Sequence, residues 1–277
     1  MPADLAQLVP WLDVGTAVRL TGGWTSETYE LAGGWIVQIA RTSYAANTLR
    51  HQLRVLPKLT PHLGAKIPKP QLACDGPVTV VYKKLEGAPG AAATPGAWPE
   101  QLGGLLARLH ATPPKALGVE ALDADTLRDD RRIDGTRLFG AVAPRLTRGE
   151  RLRAELLLAD LVDDDRNWKF SPVVAHGDLG PEHVLVSAAG ELAGVIDWED
   201  VGTGDPADDF AWWLHAMPEV GSRMLAAYGG PPDERFEIRA RVIYAIMPWH
   251  DVEHGIATDD AALIASGLDD TRARLVT

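Results

Sequence analysis

The chain has a single cysteine, Cys74, among 277 residues. This excludes an intramolecular disulfide and any zinc site built from cysteine thiolates. No apolar run approaches the ~20 residues that cross a bilayer, and the N-terminus lacks the basic-then-apolar layout of a signal peptide, so a cytoplasmic protein with no membrane partner is expected. Basic residues are in deficit, with 27 Lys and Arg against 38 Asp and Glu and a net charge of -11. A nucleic-acid partner needs a basic face to meet phosphates and is excluded on that ground, whereas a cationic partner is favoured. Internal repeats and low-complexity segments are absent. The Gly-rich turn near the N-terminus lacks the Lys of a Walker A loop. The remaining composition, 46% hydrophobic and 23% charged, is that of an ordinary globular chain. Its length suffices for two cores or one large α/β domain.

Chemistry concentrates between residues 173 and 210. Residues 184–186 and 194–196 read as buried strands, each bounded by Gly, Pro or acidic residues. Asp178 opens a loop that ends at His183, and Asp197 caps the next strand, so a hairpin brings all three to one end. Phosphoryl transfer requires such a constellation, because it is mostly positioning and charge neutralisation. One carboxylate must face the acceptor hydroxyl, while a second and a partner on the catalytic loop hold magnesium against the phosphates. The kinase spacing is His, any residue, Asp, four residues, Asn, and a later strand ending in a metal-binding Asp. Here it reads His176-Gly177-Asp178, then residues 179–182, then His183, and later Ile196-Asp197-Trp198.

Together with Gly204-Asp205-Pro206-Ala207-Asp208-Asp209, these motifs resemble the aminoglycoside phosphotransferase family of antibiotic kinases. The resemblance implies an α+β, bilobal protein-kinase-like fold. Residues 1–85 would form an N-terminal nucleotide-binding lobe, an antiparallel sheet plus a helix. A hinge would follow at 86–90, then a larger, mainly helical catalytic and substrate-binding lobe over 91–277. By the same resemblance Asp178 is the catalytic carboxylate, Asp197 and His183 hold Mg2+, and Asp209 braces the catalytic loop beside His176. His183 stands where most of the family has Asn, and macrolide phosphotransferases resemble the chain there. An imidazole is a poorer magnesium partner than an amide oxygen.

Along the chain, residues 4–12 show helical spacing, and residues 17–20, 28–31 and 35–40 read as strands of an antiparallel meander. The turn carrying Gly22, Gly23, Thr25 and Ser26 falls where kinases cover the nucleotide phosphates. On the third strand the family carries a Lys or Arg, paired with a Glu on the following helix. Gln38 and Gln52 occupy those places. A hydrogen-bonded amide pair is therefore expected, with Arg41, Lys83 or Lys84 supplying the missing cation. The run Ala40-Arg41-Thr42 resembles the tuberactinomycin (viomycin) branch of the family. Residues 45–59 read as a helix ended by Pro57 and Pro61. Residues 78–82 form a strand, and Lys83, Leu85 and Gly87 then line the expected purine site, with Tyr82 read as core. A helical stripe ends at His110, read as packed. Residues 121–150 look irregular, with one helix at 137–146, and 149–162 is an amphipathic helix. Residues 210–228 and 236–254 each read as one helix. The second ends in His250-Asp251-Val252-Glu253-His254, which fits the H-x-x-E-H zinc peptidase pattern.

The expected function is Mg2+-dependent transfer of a phosphoryl group from ATP or GTP to a hydroxyl of a small cationic antibiotic. Asp178, Trp198, Glu199, Asp200 and Asp251 would contact the acceptor, a tuberactinomycin peptide or an aminoglycoside. The alternatives are a macrolide kinase, a sequestering protein without catalysis, prompted by Gln38, Gln52 and His183 together, and the zinc peptidase. The chain is read as a monomer or homodimer.

Overall fold

A computed structural model describes residues 5–20, 23–64, 66–93 and 95–275; Gly22 lies outside the described residues. Strands β1 (Val18–Leu20), β2 (Ser26–Leu31), β3 (Trp35–Ala40), β4 (Gln71–Asp75) and β5 (Val78–Lys83) form an antiparallel sheet in the order β1-β2-β3-β5-β4. Side chains alternate across a strand, and that parity organises the region. Tyr29, Leu31, Val37, Ile39 and Val81 face outward under Leu5 and Leu8 of helix α1 (Leu5–Leu8). Gln38 and its cross-strand partners Thr28 and Val80 face the other way. There Ala40, Val78 and Val80 pack against Ala45 and Leu49 of helix α2 (Ser43–Leu63).

Helix α2 is capped by the Thr42 side chain, which accepts from the Ala45 N–H at 3.1 Å. It runs through both Pro57 and Pro61 to Leu63 instead of ending at residue 59. Each proline removes one backbone donor. Both stand on the exposed side, while Val55, Leu56, Leu59 and Leu63 are buried in the main core. Tertiary burial of that stripe outweighs the lost hydrogen bonds.

The C-terminal region is mainly helical. It opens with β6 (Ala88–Pro89), α3 (Trp98–His110), α4 (Pro114–Leu117), α5 (Ala124–Val142) and α6 (Arg148–Val162). Four short strands follow: β7 (Val173–Ala175), β8 (Val184–Val186), β9 (Leu192–Val195) and β10 (Gly202–Gly204). Helices α7 (Ala211–Ala216), α8 (Pro218–Tyr228), α9 (Phe236–Ile246), α10 (Pro248–Thr258) and α11 (Ala261–Arg274) complete it. The strands make two small sheets, β6-β8-β9 and β10-β7. The loop from β7 to β8 and the loop from β9 to β10 therefore leave neighbouring sheets, and they carry the motif residues.

Residues 121–150 are more ordered than the sequence suggests. Asp123 caps α5, accepting from the Thr126 N–H at 2.8 Å. Leu138 and Val142 join Trp249 and Val252 in a second core. Residues 210–228 and 236–254 are each two helices, restarted at Pro218 and Pro248. Proline lacks the N–H that continues a helix but fits the first turn of a new one.

Arg239 locks the Gly204-Asp205-Pro206 turn to α9. It is fully buried, donating to Asp205 at 2.6 and 3.1 Å and to Asp233 at 2.8 Å from two nitrogens, and it stacks on the Phe170 ring at 4.3 Å. Removing one side of a buried, hydrogen-bonded ion pair leaves the other charge uncompensated. Arg239→Met is expected to destabilise the chain by about 3–5 kcal/mol, measured as a lower urea unfolding midpoint.

Candidate active site

The catalytic loop is held from below by one carboxylate. Asp209, fully buried, accepts from the His176 N–H and the Gly177 N–H, each at 2.9 Å, and from His110 Nε2 at 2.9 Å. Burial alone would raise its pKa, but the bond from His110 and the two imidazoles hold it below the usual carboxylate value. The sequence points to His110 only as a packed residue. Here it is a donor to the brace, with its Nδ1 3.0 Å from the Tyr228 hydroxyl.

His176 is buried and neutral. Its Nε2 donates to the Ile196 carbonyl at 3.0 Å, and its Nδ1 accepts from the Asp178 N–H at 3.3 Å. Burial pushes its pKa down. Gly177 adopts φ 88, and a Cβ there would meet the Asp200 carbonyl oxygen at 3.0 Å. The loop can turn this tightly only with glycine at that position. Asp178 follows with its side chain 51% exposed.

As expected from the hairpin, Asp178, His183 and Asp197 converge. His183 Nδ1 donates to the Asp178 carbonyl at 2.7 Å and lies 3.6 Å from Asp178 Oδ2, while its Nε2 lies 3.4 Å from Asp197 Oδ2. Burial would lower its pKa, yet Asp197 and Asp178 raise it above the ordinary value. With its nitrogens turned toward Asp178 and Asp197, the ring bridges the two loops. Asp197 adopts φ 62, a left-handed conformation that Asp tolerates better than most residues and that gathers at functional sites.

Glu199 crosses the cleft, where Thr25 donates its hydroxyl to both Glu199 carboxylate oxygens at 2.9 and 2.7 Å. Burial, then the charges of Asp197, Asp200 and Asp178, push Glu199 up to about 7 against the bond from Thr25. Asp200 is also raised, by burial and then by Asp178 and Asp197. It lines a cavity of about 220 Å³ with Gly177, Asp130, Asp134 and the half-buried Arg131–Asp208 pair. Trp198, expected to touch the acceptor, is instead fully buried, its Nε1 donating to the Val195 carbonyl at 2.9 Å and its ring packed on His176. An indole between two acidic residues reads as exposed in sequence, but the loop turns it under the floor.

On the inner face of the N-terminal sheet, Ser26 Oγ, Gln38 Oε1 and Gln52 Nε2 are buried without partners. The expected Gln38–Gln52 hydrogen bond is not formed. Unsatisfied buried polar atoms are costly, and a polar ligand would satisfy these three. The expected cations are placed elsewhere. Lys83 lies on the outer face, donating to the Gly33 carbonyl and sitting 4.1 Å above the Trp35 ring. Arg41 pairs with Glu27 on that same outer face, and Lys84 pairs with Glu30. Parity decides it, since Trp35 opposes Lys83 whereas Gln38 opposes Val80. Tyr82 is not core: it faces Asp197 and Glu199, and burial followed by those charges raises its pKa. Gly23 is exposed at the turn. Leu85 is half-buried over Gly194, and Gly87 lies so close to β8 that a Cβ would meet Val186 backbone atoms at 3.0 Å.

The H-x-x-E-H stretch does not build a zinc site. Glu253 pairs with Arg137, and His254 stacks on Trp24. Among the described residues no group of three or more His, Cys, Asp or Glu side chains is arranged to hold a metal. Asp251 is half-buried on the same helix. Among the described residues no helix is long and apolar enough to cross a membrane.

The architecture is a kinase-like fold, an antiparallel sheet followed by a helical region that carries two catalytic-type loops. Residues 16–239 match the phosphotransferase enzyme family, and the chain belongs to it. It is 30% identical to viomycin phosphotransferase from Streptomyces vinaceus over 256 residues, 86% of each chain. The fold is similar to the GDP and kanamycin complex of APH(2")-IIia, with TM-score 0.82 and 21% identity over 97% of this chain and 96% of that one. It is also similar to macrolide 2'-phosphotransferase MphH from Brachybacterium faecium, with TM-score 0.70 and 26% identity over 98% of both chains.

Glu199 makes a pH prediction. Its carboxyl ordinarily titrates at 4.5, but at about 7 in the folded chain. Between those values the folded chain holds a proton that the unfolded chain has released, so stability falls as pH rises through that window. Glu199→Gln is expected to remove that part of the slope, read as the difference in urea midpoint between about pH 5 and about pH 8 for each protein.

Proposed function

We propose that the chain transfers a phosphoryl group from ATP or GTP to a hydroxyl of a small cationic antibiotic, a tuberactinomycin peptide or an aminoglycoside. The observation that carries this reading is the convergence of Asp178 and Asp197 above the Asp209 brace. Residues 1–85 form the nucleotide lobe, 86–90 the hinge, and 91–277 the catalytic and acceptor lobe in this reading. Asp178, exposed at the loop tip, accepts a hydrogen bond from the acceptor hydroxyl and takes its proton late in the transfer. The transferring group passes in line from the nucleotide leaving oxygen to that hydroxyl. Ser26, Gln38 and Gln52 offer their unpaired polar atoms to the nucleotide under the hairpin. Asp200 and Asp251, with the acidic cavity beside Gly177, suit the ammonium groups of the acceptor.

The donor set fits magnesium. Asp197 and Glu199 are hard carboxylate ligands, and the charge crowding that raises Glu199 is what a divalent cation relieves. When bound, Mg2+ neutralises phosphate charge. Asp197 and Glu199 would hold it, with phosphate and water completing the shell.

The 30% identity with a viomycin phosphotransferase over 86% of the chain supports the tuberactinomycin acceptor. A macrolide acceptor is the second reading, favoured by His183 and the likeness to a macrolide 2'-phosphotransferase. The test is consumption of ATP and of GTP, measured separately, with viomycin, kanamycin and a macrolide. Turnover is expected with viomycin, and a loss of at least about a hundredfold in Asp178→Ala. Binding without turnover by the unmodified chain would instead identify a sequestering protein, and macrolide-only turnover would establish the second reading.

A further inference from the structure

Trp24 is carried by the hairpin between β1 and β2, yet its indole lies flat on the imidazole of His254 near the end of α10. The ring centroids are 3.8 Å apart and the planes differ by 2°. Trp24 belongs to none of the hydrophobic clusters and keeps 52% of its surface exposed. Core packing therefore does not explain it. One face of the indole is covered by the imidazole, and the rest of the residue is largely exposed.

Its position follows from its neighbour. Thr25 is bonded to Glu199, whose charge interacts with Asp197 and Asp178. Successive Cα atoms are ~3.8 Å apart, so the stack begins one residue from the hydroxyl that bonds Glu199. It lies toward α10, one turn from Asp251. The Asp251 carboxyl is half-buried and repelled by Asp270 and by Glu182 of the β7–β8 loop, with Arg274 and His254 acting in the opposite sense. An exposed indole face is what an ammonium or guanidinium group meets favourably, by cation–π attraction worth about 0.5–2 kcal/mol, and Asp251 lies one turn before His254 on the same helix.

We propose that Trp24 is a specificity-determining residue of the acceptor site: backed by His254, its free indole face receives a cationic group of the acceptor, which Asp251 and Glu182 neutralise. The inference rests on the cationic-antibiotic reading above. It also explains why a hairpin expected to serve only the nucleotide carries a large aromatic at its tip.

The test uses whichever of viomycin or kanamycin the full chain turns over. Trp24→Leu keeps an apolar contact with His254 but removes the aromatic face, so the acceptor KM is expected to rise about tenfold. Trp24→Phe keeps a face and is expected to stay within about threefold. The nucleotide KM is read on the same samples. Equal rises in both KM values would make Trp24 a clasp of the hairpin and overturn the proposal, as would Trp24→Leu with an unmodified acceptor KM, or Trp24→Phe losing as much as Trp24→Leu. Failure of the underlying reading looks different: the unmodified chain then neither binds nor phosphorylates either polycation, which overturns both.

Discussion

A single buried carboxylate sets the geometry on which the site depends. Two consecutive backbone N–H groups, those of His176 and Gly177, point at Asp209, and His110 supplies a third donor. Pinning consecutive amides to one anion forces the chain to curl, which Gly177 permits with its positive φ. The curl ejects Asp178 into the cleft. From His176 the constraint passes through the Ile196 carbonyl to Asp197, so one brace orients both loops. A buried charge is tolerable only when its acceptor capacity is filled by well-placed donors, and here it is.

The electrostatics above the brace are lopsided. Asp178, Asp197, Glu199 and Asp200 crowd one another, and the imidazole of His183 lies between Asp178 and Asp197. The inner face of β3 contributes neutral Gln38, while Lys83 and Arg41 are turned outward onto Trp35 and Glu27. A site built this way favours cations. In the proposed reading it would take an ammonium-bearing acceptor directly, and a polyanionic nucleotide together with a divalent metal.

The stretch from 173 to 210 was legible because its chemistry is written in spacing. A fixed number of residues between Asp178 and His183, and a strand ending at Asp197, suffice to place three groups at one end of a hairpin. Side-chain direction was less legible. Lys83 is one residue from Tyr82, and a strand sends the two to opposite faces, so Lys83 lies over Trp35 on the face away from Gln38. Trp198 was misread for the same reason, since its burial is decided by a turn whose left-handed residue, Asp197, gives no signal in the sequence. Helix ends at Pro218 and Pro248 follow from proline at a first turn, whereas Pro57 and Pro61 lie inside a helix because its opposite face is buried. Local rules cannot rank those two outcomes without the tertiary contacts. The H-x-x-E-H match shows the converse error, because right spacing on a helix says nothing of where Glu253 and His254 find partners.

The contact between Thr25 and Glu199 links these observations. Thr25 belongs to the hairpin that would cover the phosphates, and Glu199 to the loop that would hold the metal. A hydroxyl proton shared by two carboxylate oxygens occupies, without ligand, the same carboxylate that a divalent cation would engage. Binding of the metal–nucleotide pair would therefore exchange one partner of Glu199 for another and leave the Thr25 hydroxyl free to turn toward phosphate oxygen. The two neighbouring residues thus meet different elements, Thr25 the loop after β9 through Glu199 and Trp24 helix α10 through His254.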